Sequence, residues 1–243
     1  MNKITLFAAG SLRLAFTPLL VAFEQESGHR VEATFGPAGL LRERIEQGER
    51  PQVFASANLE HPQRLVALGF AQAVQPFTRN RLCATVRNIP KLTQPDVMTL
   101  LCDPQWRVGT STPLADPSGD YAQQLFDRLE QCLPGQGSAL RSRTVPLVGG
   151  PDSAPIPAGR LAAEYLLAEG LADIFLGYAN YADTLAACAQ VKVRRLPTVL
   201  DFKVIYGLCL LDESCVAAWA LVAFILSAQG QRILQRMGML ALD

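Results

Sequence analysis

Histidine is nearly absent from this sequence: His29 and His61 are the two copies in 243 residues. His29 opens an expected strand and His61 stands beside Pro62 at an expected helix start, so both read as surface residues rather than catalytic bases. The six cysteines, Cys83, Cys102, Cys132, Cys188, Cys209 and Cys215, form no C-x-x-C pair, and no histidine lies at metal-ligand spacing from them. That speaks against zinc sites and thioredoxin-like chemistry. An even count permits disulfides, but Cys83, Cys188 and Cys209 sit in apolar contexts and read as buried free thiols, with Cys209 and Cys215 the pair to check first. The motifs G-x-G-x-x-G, G-x-x-x-x-G-K-[ST] and G-x-S-x-G are missing, which removes a dinucleotide fingerprint, a P-loop and a nucleophile elbow. No apolar run reaches the roughly 18–20 residues that span a bilayer. Basic and acidic residues balance at 22 each, and no basic stretch interleaves with aromatics, so nucleic acid is excluded as an expected partner.

What is present is a chain able to bury a large core: 49% hydrophobic and 18% charged, long enough for one large or two small domains. The segment FAAGSLRLAF near the start has the apolar character of a secretion signal. It reads better as a first strand, a Gly-Ser turn and a helix start, because Lys3 alone could form a charged leader and a repeating pattern follows at once. Strands are expected at residues 3–9, 29–35 and 52–57, and helices at 12–27, 40–47 and 62–68. A second block alternates strands at 81–86, 107–110, 144–148, 172–178 and 191–196 with helices at 94–101, 121–132 and 158–168. A long strand at 203–211 and helices at 213–227 and 229–236 close the chain. This βαβ order implies α/β architecture with parallel strands joined by crossover helices.

In parallel α/β sheets, ligands bind outside the carboxyl ends of the strands. The residues there recur in kind: Ala9-Gly10-Ser11, then Gly36-Pro37-Ala38-Gly39, then Gly109-Thr110-Ser111-Thr112 with Asp116-Pro117-Ser118-Gly119, and Gly149-Gly150-Pro151-Asp152-Ser153 with Pro157-Ala158-Gly159. Small residues and hydroxyls at helix starts admit an anion to unpaired backbone N–H groups. The same residues also serve as ordinary caps and turns. Both readings fit these loops. The turns themselves carry no Lys or Arg, which matches a compact, dehydrated anion held by N–H and O–H donors. Asp116 and Asp120 read as caps. Tyr178, Asn180 and Tyr181 in GYANYA fit either a cleft or turn packing. Arg13 and Arg160, just past two of the loops, fit either a long-range positive potential or a solvated helix face.

ITLFAAGSL, VEATFGPAGLLRERIEQGERPQVFASAN and GTSTPLADPSGDYA together resemble the periplasmic molybdate-binding proteins of ABC transporters, a type II solute-binding family, over nearly the whole chain. The resemblance implies a two-lobed fold, each lobe a mainly parallel sheet flanked by helices, with a ligand cleft between lobes. Lobe 1 would hold residues 1–82 and 203–243, lobe 2 residues 83–202, with hinge crossings near 81–86 and 203–208. Closure of the hinge would complete the ligand cage, and no bond would be made or broken. The implied ligand is molybdate or tungstate. The implied binding residues are Gly10, Ser11, Ala38, Gly39, Ser118, Ala158 and Tyr178. Ser11 matches the family's first-strand serine. Ala38 stands where a second serine is common, so its N–H remains and the hydroxyl is lost. Ser118 and Ala158 fall at backbone-donor positions. The family's cleft tyrosine falls at Leu176, and Tyr178 points the same way two residues on.

The resemblance further implies a monomer that is not an enzyme, needs no cofactor or directly bound metal, resides in the periplasm and meets a membrane permease. Two alternatives of other kinds stand beside it. One is the same fold binding another small anion or an organic solute; the other is a ligand-sensing domain of a regulator.

Overall fold

The structure is a computed structural model and describes residues 3–242. The first two residues and the last one, which the expected first lobe includes, lie outside the described residues. The chain divides into two compact units. One holds the described residues up to Asn80 together with those from Val204 onward, and the other is Arg81–Lys203.

The first unit starts with β1 (Lys3–Ala9), a 3-10 turn (Gly10–Leu12) and α1 (Arg13–Ser27). β2 (Arg30–Gly36), α2 (Ala38–Glu46), β3 (Val53–Ser56) and α3 (Glu60–Ala67) follow. Gly28 ends α1 at φ 71°, the left-handed conformation in which its N–H reaches back to Glu24 O. β1 runs parallel to both β2 and β3. That central place explains its near-continuous apolar character, since both faces are covered. β4 (Gln75–Asn80) is a strand that the residue pattern does not announce. Pro76 lies inside it, opposite a register shift between Tyr206 and Gly207, and β4 is the edge of its sheet. An edge and a bulge are where a strand tolerates a missing N–H.

The second unit opens with β5 (Leu82–Arg87), α4 (Pro90–Thr93), α5 (Val97–Cys102) and β6 (Val108–Ser111). The helix expected at 94–101 begins at Val97 instead, because Pro95 precedes its cap: Asp96 accepts the Thr99 N–H at 2.9 Å; the short α4 ahead of it lies outside the expected range. α6 (Pro117–Cys132), α7 (Gln136–Arg143), β7 (Val145–Val148), α8 (Ala162–Ala168), β8 (Ile174–Tyr178), α9 (Ala182–Ala186) and β9 (Val191–Arg195) complete the unit. Its sheet order is β7-β6-β8-β5-β9. β6 is parallel to β7 and β8, while β5 runs antiparallel to β8 and β9.

The returning segment supplies β10 (Val204–Leu210), α10 (Val216–Leu226) and α11 (Ala228–Arg236) to the first unit. β10 inserts antiparallel between β3 and β4, giving the order β2-β1-β3-β10-β4. Both sheets are therefore mixed, with one strand opposed to the other four, and helices flank them. Among the described residues no single helix is long and apolar enough to cross a membrane. The six cysteines are free thiols, Cys209 and Cys215 included.

Candidate functional site

In the first unit the register Ala9↔Gly36 sets the ends of β1 and β2 side by side. Gly10 therefore passes close to the Gly36 carbonyl: a Cβ added there would lie 3.8 Å from that oxygen. Ala38 and Gly39 are buried in the first turn of α2. The helix's own ladder begins with Leu41 N–H donating to Pro37 O at 3.0 Å. The N–H groups of Ala38, Gly39 and Leu40 lie ahead of that ladder, at the positive end of the helix. Thus four of the expected residues, Gly10, Ser11, Ala38 and Gly39, come together at one sheet edge. Arg13 is engaged locally: its guanidinium lies 4.8 Å from the Phe35 ring centroid and donates to Phe35 O at 3.4 Å.

Ser11 is buried, and its hydroxyl oxygen accepts a hydrogen bond from the Tyr206 hydroxyl at 2.9 Å. Tyr206 in turn accepts from Asn80 Nδ2 at 3.2 Å. Nothing local to the first strand points to either partner, because Tyr206 is 195 residues away along the chain. At the end of β3, Ser56 Oγ donates to Asn58 Oδ1 at 2.8 Å, and Asn58 Oδ1 also accepts the His61 N–H at 3.3 Å. His61 is not the surface residue its sequence context implies. It is 8% exposed, and its Nε2 is buried without a hydrogen bond among the described residues. Desolvation and the nearby Arg42 and Arg64 push its pKa down to about 4, against the opposing pull of Glu46.

In the second unit β7, β6 and β8 end at a common edge, which carries Gly149-Gly150, the α6 start and Tyr178. Asp116 caps α6 as its position implies: its carboxylate accepts the Ser118 N–H at 3.0 Å, and its carbonyl accepts the Gly119 N–H at 2.8 Å. The Ser118 N–H assigned to a ligand from the resemblance is thus held by the protein's own carboxylate. Ser118 Oγ is buried and makes no hydrogen bond among the described residues. Desolvation pushes the Asp116 carboxyl up to about 6, with Asp120 adding to it and bonds from Ser118 and Ser111 opposing it. Gly149 at φ 80° packs on this carboxylate; a Cβ there would fall 2.8 Å from Asp116 Cβ and Oδ2. Asp120, expected as a cap, accepts instead the Leu114 N–H at 2.8 Å, in the turn ahead of the helix.

The helix expected at 158–168 starts at Ala162, so Ala158 is not at a helix N-terminus. It is exposed in a turn closed by Arg160 N–H donating to Pro157 O at 3.1 Å. The three prolines Pro151, Pro155 and Pro157 keep this stretch out of the helix. Arg160 pairs with Glu164 and lies 4.9 Å from the Tyr165 ring centroid. Leu176 is fully buried in β8, and Tyr178, on the same strand face, is buried at its carboxyl end. Tyr181 packs on the apolar cluster of Leu166, Phe175 and Leu185, while Asn180 is buried in the turn before α9. Among the described residues no three His, Cys, Asp or Glu side chains group to hold a metal ion.

Two α/β units with hydroxyls and helix starts at the strand ends form a binding architecture, and a family model decides which. The model of the bacterial extracellular solute-binding proteins matches residues 4–240. This chain belongs to that family. A curated relative, an uncharacterised protein of Pasteurella multocida, is 43% identical over 204 residues, covering 84% of this chain and 85% of the relative. Among solved structures, the sulfate-binding protein SubI of Mycobacterium tuberculosis superposes with a TM-score of 0.81 at 20% identity, covering 100% of this chain and 88% of that one. The periplasmic molybdate-binding protein of Azotobacter vinelandii gives 0.76 at 19% identity, covering 99% and 100%. These likenesses show the fold of the periplasmic binding proteins. As a member of the solute-binding family, this chain has its expected α/β class.

Proposed function

We propose that this solute-binding protein takes up a tetrahedral oxyanion, molybdate or tungstate, and hands it to the permease of an ABC transporter from the periplasm. The observation that carries the reading is the cluster at the ends of β1 and β2. There the turn that carries Ser11 and the start of α2, with the leading N–H groups of Ala38 and Gly39, follow two paired strand ends, and the turns carry no lysine or arginine. Neutral donors at a helix start suit a dehydrated anion. The fold likeness to molybdate- and sulfate-binding proteins supports the same class. From the second unit the reading takes Tyr178 and Ser118, the latter through its hydroxyl.

A thermal-shift panel on dialysed protein tests this. Ligand at a hundred times its dissociation constant adds about 2.7 kcal/mol, which raises the melting temperature of a chain this size by about 5–10 °C. Molybdate and tungstate are expected to produce that rise, and sulfate and phosphate little. Negligible shifts with every oxyanion, or equal shifts with all, would reject the reading. One observation favours a second reading: the Asp116 carboxylate at the α6 start prefers a ligand that brings its own hydrogen-bond donor. In that case phosphate or a hydroxylated organic anion gives the largest shift.

A further inference from the structure

The helix α10 reads VAAWALVAFIL, with no charge and no polar side-chain group except the Trp219 indole N–H. A helix that is apolar all round belongs in a core, yet this one is covered on one side only. Ala217, Ala218, Leu221, Val222, Phe224 and Ile225 are buried, and Phe23 of α1 meets Phe224 at 5.6 Å between ring centroids. Val216, Trp219, Ala223 and Leu226 are exposed and Ala220 is half-buried, at spacings of three and four that place them in one stripe. Val216 is 80% exposed and Trp219 51%, so the stripe is a continuous apolar face rather than a scatter of single residues. We propose that this stripe is the docking face for a second copy of the chain, which meets it with its own α10, antiparallel, about a two-fold axis. The face belongs to the first unit and does not depend on which solute is bound.

Size and charge both single out a copy of the same chain. In a two-fold pair each contact occurs twice with its members exchanged. Antiparallel pairing of the stripe sets Val216 against Leu226 and Trp219 against Ala223 across the axis, with the two copies of Ala220 near the centre. The largest side chain meets a small one, and the two of middle size meet each other. Small residues at the middle let the helix axes approach to the near end of the usual range of roughly 8–10 Å. Trp219 is already held in place, because its indole N–H donates to Glu213 O at 3.1 Å. Less side-chain freedom is then lost on docking. Charge runs in the same sense. Asp212 and Glu213 precede α10, whereas Arg232 and Arg236 are exposed on α11 beyond its far end. An antiparallel pair brings the acidic end of each copy to the basic end of the other, and a parallel pair would bring like charges together. A helix of 11 residues is about 16 Å long. One such stripe falls short of the roughly 800 Å² per partner of a stable complex. The dimer is therefore weak, with a dissociation constant above about 1 μM. β10 ends with Leu210 opposite Val53, at the start of β3. The Trp219 end of α10 thus follows the sheet edge opposite to the one that carries the Ser11 turn.

Sedimentation velocity with samples from about 1 μM to about 1 mM tests this. The wild type is expected to move from monomer to dimer across that range. Ala223→Glu puts a charge in the middle of the stripe and should weaken the dimer about thirtyfold or more. Its melting temperature should stay at the wild-type value, because the position is exposed and glutamate suits a helix. Trp219→Ala, with a similar expected loss, covers the case in which Ala223→Glu fails to fold. Glu213→Arg and Arg232→Glu should each weaken the dimer about two- to tenfold, counting both symmetric pairs, and the double reversal should restore it. A wild type that stays monomeric at every concentration overturns the proposal, as does a dimer that survives both Ala223→Glu and Trp219→Ala. Reversals whose losses add in the double variant overturn the antiparallel arrangement. Phosphatidylcholine–phosphatidylglycerol vesicles that float a monomeric wild type but not Ala223→Glu would assign the stripe to a lipid surface instead.

Discussion

Replacing His61 by leucine is expected to remove an acid-labile element from the first unit. In the fold His61 is buried and desolvated, Nε2 has no hydrogen bond among the described residues, and Arg42 and Arg64 add positive potential, so its pKa falls to about 4. In the unfolded chain it returns to about 6.5. Between those values the unfolded state binds the proton and the folded state does not. Stability is therefore full above pH 6.5 and is lost as pH falls toward 4. The displacement of about 2.5 pH units corresponds to about 3 kcal/mol at 1.36 kcal/mol per unit. Glu46 opposes the shift, and its own carboxyl is held below the usual range chiefly by the hydrogen bond from Arg64.

Asp116 works in the opposite direction over much of the same window. Its folded pKa, about 6, lies above the unfolded value, so its contribution is present in acid and is lost as pH rises through 6. The wild-type profile is expected to be shallow because the two groups offset one another. The informative quantity is the difference between wild type and His61→Leu, from urea denaturation at pH 7.5 and pH 4.5. Relative to wild type, the variant should gain about 2–3 kcal/mol on going to the lower pH. Asp116→Asn should show a difference of the opposite sign. A wild-type-to-His61→Leu gap that is the same at both pH values would refute the reasoning about His61.

Ala38→Pro removes the first N–H of α2 where proline is well tolerated, and Pro37 already has the extended backbone that a following proline demands. The melting temperature of the unliganded protein should change little, while oxyanion affinity by calorimetry should fall about tenfold or more, as expected for a lost bond to a charged group. Gly149→Ala combines a left-handed backbone with a Cβ pressed on Asp116. It should destabilise the protein by about 1–3 kcal/mol in denaturant titration. Burial raises Cys83 and Cys209 to about 12, whereas Cys132 is exposed. A thiol reagent at pH 8 should label Cys132 first and leave Cys83 and Cys209 unlabelled until the protein unfolds.

Much of the fold was legible because local pattern and burial coincide. β1 is nearly continuously apolar because it lies between β2 and β3, and the Gly-Ser turn after it leads to a helix as its small residues imply. Elsewhere local chemistry is ambiguous and tertiary packing decides. Pro76 hid an edge strand that tolerates it at a bulge. α7 is polar along most of its length and packs on α6 at Gly137, where an added Cβ would fall 2.2 Å from the Phe126 carbonyl oxygen, a closeness no local pattern encodes. The pattern predicts a helix from Ala158, but the α8 start lies beyond the proline-rich turn. His61 follows a charged residue, as surface histidines do, yet packing between α2 and α3 covers it.

The sequence by itself determined the α/β class, the order of most elements and the small, hydroxyl-bearing turns at the strand ends. These follow from periodicity and from the few residues that can start a helix beside a strand end. The tertiary structure alone decided which donors those turns present. Asp116 claims the Ser118 N–H in its own capping turn, and that is visible only as geometry. Ser11 receives its hydrogen bond from Tyr206, on a strand that returns from the far end of the chain to pair between β3 and β4. Hydrogen-bond partners are set by distances across a sheet, and sheet neighbours need not be neighbours in sequence.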